Sequence, residues 1–211
     1  MATFKTERPS RRGVKSKTAD FQDDERKEET SPDIPDEDET AETGAGGINN
    51  RALLGTMTHR LMEILVTSRK TADPQAAVDE IIREFLTPES EEHKDEITEK
   101  LLTVADRMKN GGYAQENGLP ADILTELDSA DRFFCELPFT YKDTTENIVW
   151  NGIMDLVYAK DGKWHIVDYK TNADGKGLDE KYQAQLSAYI DAFKATAGCG
   201  DVDAHTYHID I

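Results

Sequence analysis

Two apolar runs, Ile148 to Ala159 and Lys163 to Lys170, are separated by little more than Asp161-Gly162. An Asp-Gly pair between strand-like segments is a strong signal for a two-residue hairpin turn, because both central positions need a positive φ. Such a turn also fixes register. With Lys160 opposite Lys163, counting back along both strands sets Asp155 opposite Asp168, on one face, with Cβ atoms ~5 Å apart. Asp155 sits inside Ile153-Met-Asp-Leu-Val157, and Asp168 follows Ile166-Val167. Two carboxylates facing each other in apolar strands repel and are poorly solvated, a cost that a divalent cation removes. Oxygen ligands of this kind suit Mg²⁺, and Mn²⁺ would serve the same ligands. Lys170 lies on the same face, ~7 Å further along the strand. It is placed to orient an attacking water and to stabilise charge developing on a phosphate.

Around this hairpin the periodicity predicts an α/β domain with a mixed sheet. Leu53, Leu54, Met57, Leu61, Ile64 and Leu65 form a helical stripe over residues 50–70. Further helices are expected after Pro74 as far as Leu86, from about Glu91 to Met108, and from about Ala121 to Asp128. Phe133 to Tyr141 reads as the first strand. A helix from Asp179 to Ala195, capped by Asp179, follows the hairpin, and Val202 to Ile211 closes the chain as a strand. Residues 1–47 differ in kind: large apolar side chains are nearly absent after Phe4 and Phe21, a basic start turns acidic, and Gly44-Ala-Gly-Gly47 ends the stretch. Such a segment cannot bury enough surface to offset chain entropy, so it is expected to be a disordered, charged tether, with the folded domain at 48–211.

The net charge of −18 bears on partners. Residues 1–47 hold 8 basic and 13 acidic residues, leaving 17 and 30 for the rest. The folded part is therefore itself acidic, and would bind a polyanion only through bound cations or beside a basic partner. No run approaches the ~20 apolar residues of a membrane span, and no apolar leader opens the chain. Cys135 and Cys199 are far apart and lack a CxxC partner, which excludes a cysteine-only metal site and agrees with the reducing cytoplasm.

Other candidate residues are less decided by the residues alone. His59 projects from the side of the first helix opposite its stripe, which reads as solvent-facing. Gln185 and Tyr189, at i and i+4, read equally as an exposed glutamine beside a core tyrosine or as groups contacting a phosphate and a base. Glu136, in Phe134-Cys-Glu-Leu-Pro138, is a third ligand, an orienter of the ligands, or an edge-strand charge. His165, His205 and His208 show no metal-ligand spacing.

Five pieces in order resemble the nuclease domain of the AddA/RecB helicase–nucleases, within the PD-(D/E)xK superfamily, and most of all the C-terminal end of an AddA-type chain. They are Gly55-Thr-Met-Thr-His59 with Glu63, Glu136-Leu-Pro-Phe139, Gly152-Ile-Met-Asp155-Leu-Val157, Ile166-Val-Asp168-Tyr-Lys170-Thr171, and Tyr182, Gln185, Leu186 and Tyr189 in their spacing. The resemblance implies a restriction-endonuclease-like fold and Mg²⁺-dependent hydrolysis of phosphodiester bonds at single-stranded DNA ends. It implies His59, Asp155 and Asp168 as metal ligands with the Tyr169 carbonyl assisting, Lys170 as the catalytic lysine, and Gln185 and Tyr189 along the DNA path. No GxxxxGK[ST] phosphate loop occurs, so a helicase motor is expected in the same polypeptide or in a complex. The alternatives are a stand-alone exonuclease of the superfamily and a non-catalytic module for DNA ends or helicase docking.

Overall fold

The computed structural model describes residues 48–68, 71–143, 148–171 and 175–211. The segment 1–47, expected to be a tether, lies outside the described residues. Three long helices come first: α1 (Ile48–Ser68), α2 (Pro74–Phe85) and α3 (Lys94–Lys109), then the short α4 (Ile123–Glu126). α2 begins where the sequence says it should, with Pro74 in its first turn and Asp73 accepting from Gln75 N at 3.1 Å. α1 is different in kind. Its stripe of Leu54, Met57, Leu61 and Leu65 is buried, and so are Met62, Val66 and Thr58. A helix covered on several sides lies within a layer rather than on a surface. The side of α1 that carries His59 therefore faces protein, not solvent.

β1 (Arg132–Asp143), β2 (Ile148–Lys160), β3 (Lys163–Lys170) and β4 (Val202–His208) form one sheet in that order. β1–β2 and β2–β3 are antiparallel, and β3–β4 is parallel. The crossover between β3 and β4 contains α5 (Leu178–Lys181) and α6 (Gln183–Ala197). The first helices pack with Leu156, Tyr158, Val167, Tyr169 and Tyr207, while α6 packs with Met154, Val157, Ile166, Val202 and Ala204. The result is a mixed α/β fold with helices on both faces of the sheet. No helix among the described residues is long and apolar enough to cross a membrane.

The β2–β3 turn has φ 51° at Asp161 and 81° at Gly162, as a primed hairpin turn requires. Lys160 pairs with Lys163, and the ladder runs back to Leu156 opposite Val167. In β1 a second irregularity occurs at Glu136, whose φ is 49°. Phe133 and Cys135 pack towards α1, yet Leu137, Phe139 and Tyr141 pack towards α6. β2 makes the same exchange between Leu156 and Met154, while the pairing of Cys135 with Leu156 and Leu137 with Met154 stays in step. The strand pair turns over across a single row, that of Glu136 and Asp155.

The helix expected from Asp179 to Ala195 is broken at Tyr182, and Asp179 is not its cap. The Asp179 carboxylate accepts from Thr206 N at 2.8 Å, Thr206 Oγ1 at 2.7 Å and Asn117 Nδ2 at 3.1 Å, and faces His205 Nδ1 at 2.7 Å. Three donors and a histidine on β4 outcompete a helix terminus for one carboxylate. Burial opposes ionisation of Asp179, but these partners hold its pKa below the ordinary value. Asp203, bridging Lys163 at 2.7 Å and His165 at 2.8 Å, is likewise lowered against its burial. His205 is pushed up to about 9, by Asp203 against burial and then by Asp179. Stability from His205 is then full below its unfolded pKa of ~6.5 and is lost as pH rises through about 9. The two aspartates contribute above ~4 and lose that contribution as pH falls further. We expect the thermal midpoint to fall between pH 6.5 and 9, and His205→Gln to be less stable at pH 6 but flatter over that interval. Equal pH dependence of the two proteins would show that this network carries no such linkage.

Candidate metal centre and active site

The row at which β1 and β2 turn over is also where acidic groups gather. Asp155 comes one step beyond the last β2–β3 rung. There its Oδ2 accepts from Tyr169 N at 2.7 Å, so a carboxylate takes an amide that a continued ladder would have given to a carbonyl. Its Oδ1 lies 3.2 Å from His59 Nδ1 on α1. The edge of the His59 ring meets Tyr169, with centroids 5.8 Å apart at 83°, which fixes the imidazole from a second side. One ligand atom from each of His59, Glu136 and Asp155 lies within 4.8 Å of the others. For a non-glycine residue a left-handed backbone costs about 1–2 kcal/mol, so Glu136 occupies a strained position that coincides with this cluster.

Asp168 has different surroundings. Only 4% exposed, it faces the equally buried Lys170, Nζ to Oδ2 at 3.1 Å. That oxygen nevertheless receives no well-directed hydrogen bond. On the α6 side the Tyr189 hydroxyl accepts from Gln185 Nε2 at 2.8 Å. The same hydroxyl is within donating reach of the Ile153 carbonyl at 3.2 Å and Asp168 Oδ1 at 3.4 Å. Tyr189 is 3% exposed and packs edge-on against Phe139 at 5.4 Å, which leaves its ring no face for a nucleobase. Phe139 reaches it by lying across Gly152, where a Cβ would come within 2.8 Å of the ring. Tyr182, read from the sequence only as part of the helix stripe, brings its ring to 4.1 Å from Lys170 Nζ. The only hint of this in the sequence is its place one turn before Gln185.

Burial opposes ionisation of both aspartates, but their partners differ. His59 and the Tyr169 amide hold Asp155 below the ordinary value, with Lys170 helping. Asp168 is pushed up to about 7 by burial and by the Asp155 charge, in spite of Lys170. One carboxylate is thus prepared as an anion, and the other retains an unsatisfied oxygen. A nitrogen and several carboxylate oxygens of this sort suit a small divalent cation, and the orphaned Asp168 oxygen is what a cation would satisfy. Placement of the residues singled out by sequence is therefore uneven. His59, Glu136 and Asp155 are brought together, Asp168 and Lys170 pair beside them, and Gln185 acts through the Tyr189 hydroxyl. His165 and His205 lie elsewhere, on Asp203.

A family model described as the PD-(D/E)XK nuclease superfamily matches residues 36–210. The chain belongs to that superfamily. Among its relatives is the larger nuclease-bearing chain of the ATP-dependent helicase/nuclease of Staphylococcus haemolyticus, 27% identical over 64% of this chain and 12% of that protein. The ATP-dependent helicase/nuclease chain of the same name from Listeria welshimeri is 24% identical over 74% of this chain and 13% of its own length. RecB, of the RecBCD enzyme of Chlamydia pneumoniae, is 32% identical over 28% of this chain and 6% of its own. The chain thus spans only a small part of each of these proteins and resembles their nuclease regions.

If buried acids are held at this row for a cation, their repulsion should show when no cation is bound. A carboxylate with a raised folded pKa loses stability for the chain as pH rises from ~4 to about 7. Asp168→Asn should therefore raise metal-free stability at pH 7 by about 1 kcal/mol, while abolishing the rise in thermal midpoint that Mg²⁺ produces in the parent. A variant less stable than the parent, with its Mg²⁺ response intact, would contradict a cation-holding role for Asp168.

Proposed function

We propose that the chain is a Mg²⁺-dependent deoxyribonuclease that hydrolyses phosphodiester bonds at single-stranded DNA ends. In this reading it is the exonuclease domain of a helicase–nuclease acting in double-strand break repair and recombination. The observation that carries the reading is the group of Asp155, Asp168 and Lys170, buried together beside His59 and Glu136 in a superfamily member.

His59, Glu136, Asp155 and Asp168, with the Tyr169 carbonyl, are the residues that would hold the metal. Bound there, Mg²⁺ would lower the pKa of water and offset phosphate charge. Lys170 orients the attacking water and stabilises charge developing on the phosphate, from a site where low dielectric strengthens its field. Asp155 stays ionised because His59 and the Tyr169 amide support its charge. Tyr189 and Gln185 work from the far side, the first steadying Asp168 and the second fixing the Tyr189 hydroxyl. The acidity of the chain argues that the basic track for DNA comes from elsewhere. The names of the relatives suggest a helicase motor, in the same polypeptide or in a complex.

The test is degradation of end-labelled single-stranded DNA with Mg²⁺ or EDTA. The parent should cleave only with Mg²⁺, Asp168→Ala should be inactive, and Lys170→Ala should lose about a hundredfold or more in rate while keeping its fold and Mg²⁺ binding. Normal cleavage by Lys170→Ala would remove its assigned role. A folded parent that binds DNA ends without turnover would replace this reading with a binding module.

A further inference from the structure

A lysine that acts on a reacting group must hold its ammonium still, and a four-carbon stem with freely rotating bonds does not do this unaided. Lys170 is 4% exposed, so its charge has also lost most of its water. Asp168 supplies one counter-charge, at 3.1 Å. On another side stands the ring of Tyr182, itself 5% exposed, with its centroid 4.1 Å from Nζ. An aromatic face at that distance attracts a cation through its quadrupole, more strongly when water is excluded.

The surrounding structure shows how the ring comes to be there. Tyr182 occupies the break between α5 and α6, with φ −102° and ψ 19°. Its amide donates to Leu178 O at 2.9 Å and its carbonyl accepts from Leu186 N at 3.0 Å, so backbone bonds on both sides fix it. α5 is in turn fastened to β4 by Asp179, which takes both donors of Thr206. Thr206 is the residue paired with Asp168 across β3 and β4. The fastening that sets the ring and the strand that carries Asp168 and Lys170 are therefore neighbours in one sheet. A continuous helix from Asp179 would not have the break at which Tyr182 stands.

We propose that Tyr182 is a positioning residue, whose ring face holds the Lys170 ammonium at the reacting phosphate. This rests on the nuclease reading above, in which Lys170 acts on the water and the phosphate. The hydroxyl has no part in it, so the ring alone should suffice.

Two readouts test the proposal. In protein labelled with carbon-13 lysine, the Cε protons of Lys170, assigned by their loss in Lys170→Arg, should resonate upfield because they lie over a ring. Tyr182→Phe should keep that shift, and Tyr182→Leu should abolish it. In Mg²⁺-dependent hydrolysis of single-stranded DNA, Tyr182→Phe should match the parent within about threefold, while Tyr182→Leu loses about tenfold in kcat with little change in KM. A trifluorinated phenylalanine at position 182 keeps the shape of phenylalanine but removes most of the negative face. It should fall towards the leucine variant in kcat while melting like the phenylalanine variant, which separates this role from packing even where leucine impairs folding. In a Lys170→Met background, Tyr182→Leu should cost nothing further. An unshifted Lys170 signal in the parent, full activity of the fluorinated protein, or equal losses in Tyr182→Phe and Tyr182→Leu would each overturn the assignment. A parent that never cleaves DNA would instead defeat the nuclease reading and with it any role for Tyr182 in turnover, and the Lys170 signal would still decide whether the ring holds the ammonium.

Discussion

Asp155 and Asp168 carry like charges on adjoining strands, and both are almost wholly removed from water. Left alone, such a pair repels and one member gives up its ionisation. The structure does not neutralise the pair symmetrically. Asp155 is given a backbone amide and a histidine, whereas Asp168 is given a lysine and a distant tyrosine hydroxyl. Much of the nearby architecture supports this division. α1 is buried in its layer and thereby delivers His59 inward. The strand pair turns over at Glu136 and adds a further carboxylate. α6 presents Tyr189 from the opposite face. Stability lost where acids are crowded is regained in two apolar layers that contain none of them.

How much of this is legible in the sequence depends on how local the cause is. The Asp161-Gly162 turn dictates a register by covalent geometry, so the proximity of Asp155 and Asp168 can be counted off the chain. The parting of the strands at that same row cannot, because it arises from Asp155 competing with a carbonyl for the Tyr169 amide. His59 escapes a helical reading for a similar reason. A helical stripe tells which side is most apolar, but not that further elements cover the other side, and burial of Met62 and Val66 is a property of the assembled layers. Asp179 looks like a helix cap because local spacing favours it, and the donors that win it, on Thr206 and Asn117, come from elsewhere in the sequence. The face exchange at Glu136 has no sequence signature at all, since left-handed glutamate is disfavoured locally. Family resemblance supplies what local rules do not for His59 and the Gln185–Tyr189 pair.

Glycine and phenylalanine in the matched segments have a structural meaning as well. Gly152 makes room for Phe139, Phe139 buttresses Tyr189, and Tyr189 reaches Asp168. A residue with no side chain on β2 thus affects the setting of a carboxylate on β3 through two rings. Such chains explain why a short run of residues around an acid can be more informative than the acid itself.

The contact between His59 and Asp155 joins residues 96 apart in sequence, and Tyr189 comes later still. Contacts of such separation demand closure of long loops, and they form late in folding. A ribosome emits His59 well before Asp155, and Asp155 before α6. The centre consequently does not exist in a partly synthesised chain. A protein whose active form would damage the cell's own DNA is harmless for as long as it is incomplete, without any inhibitor to keep it so.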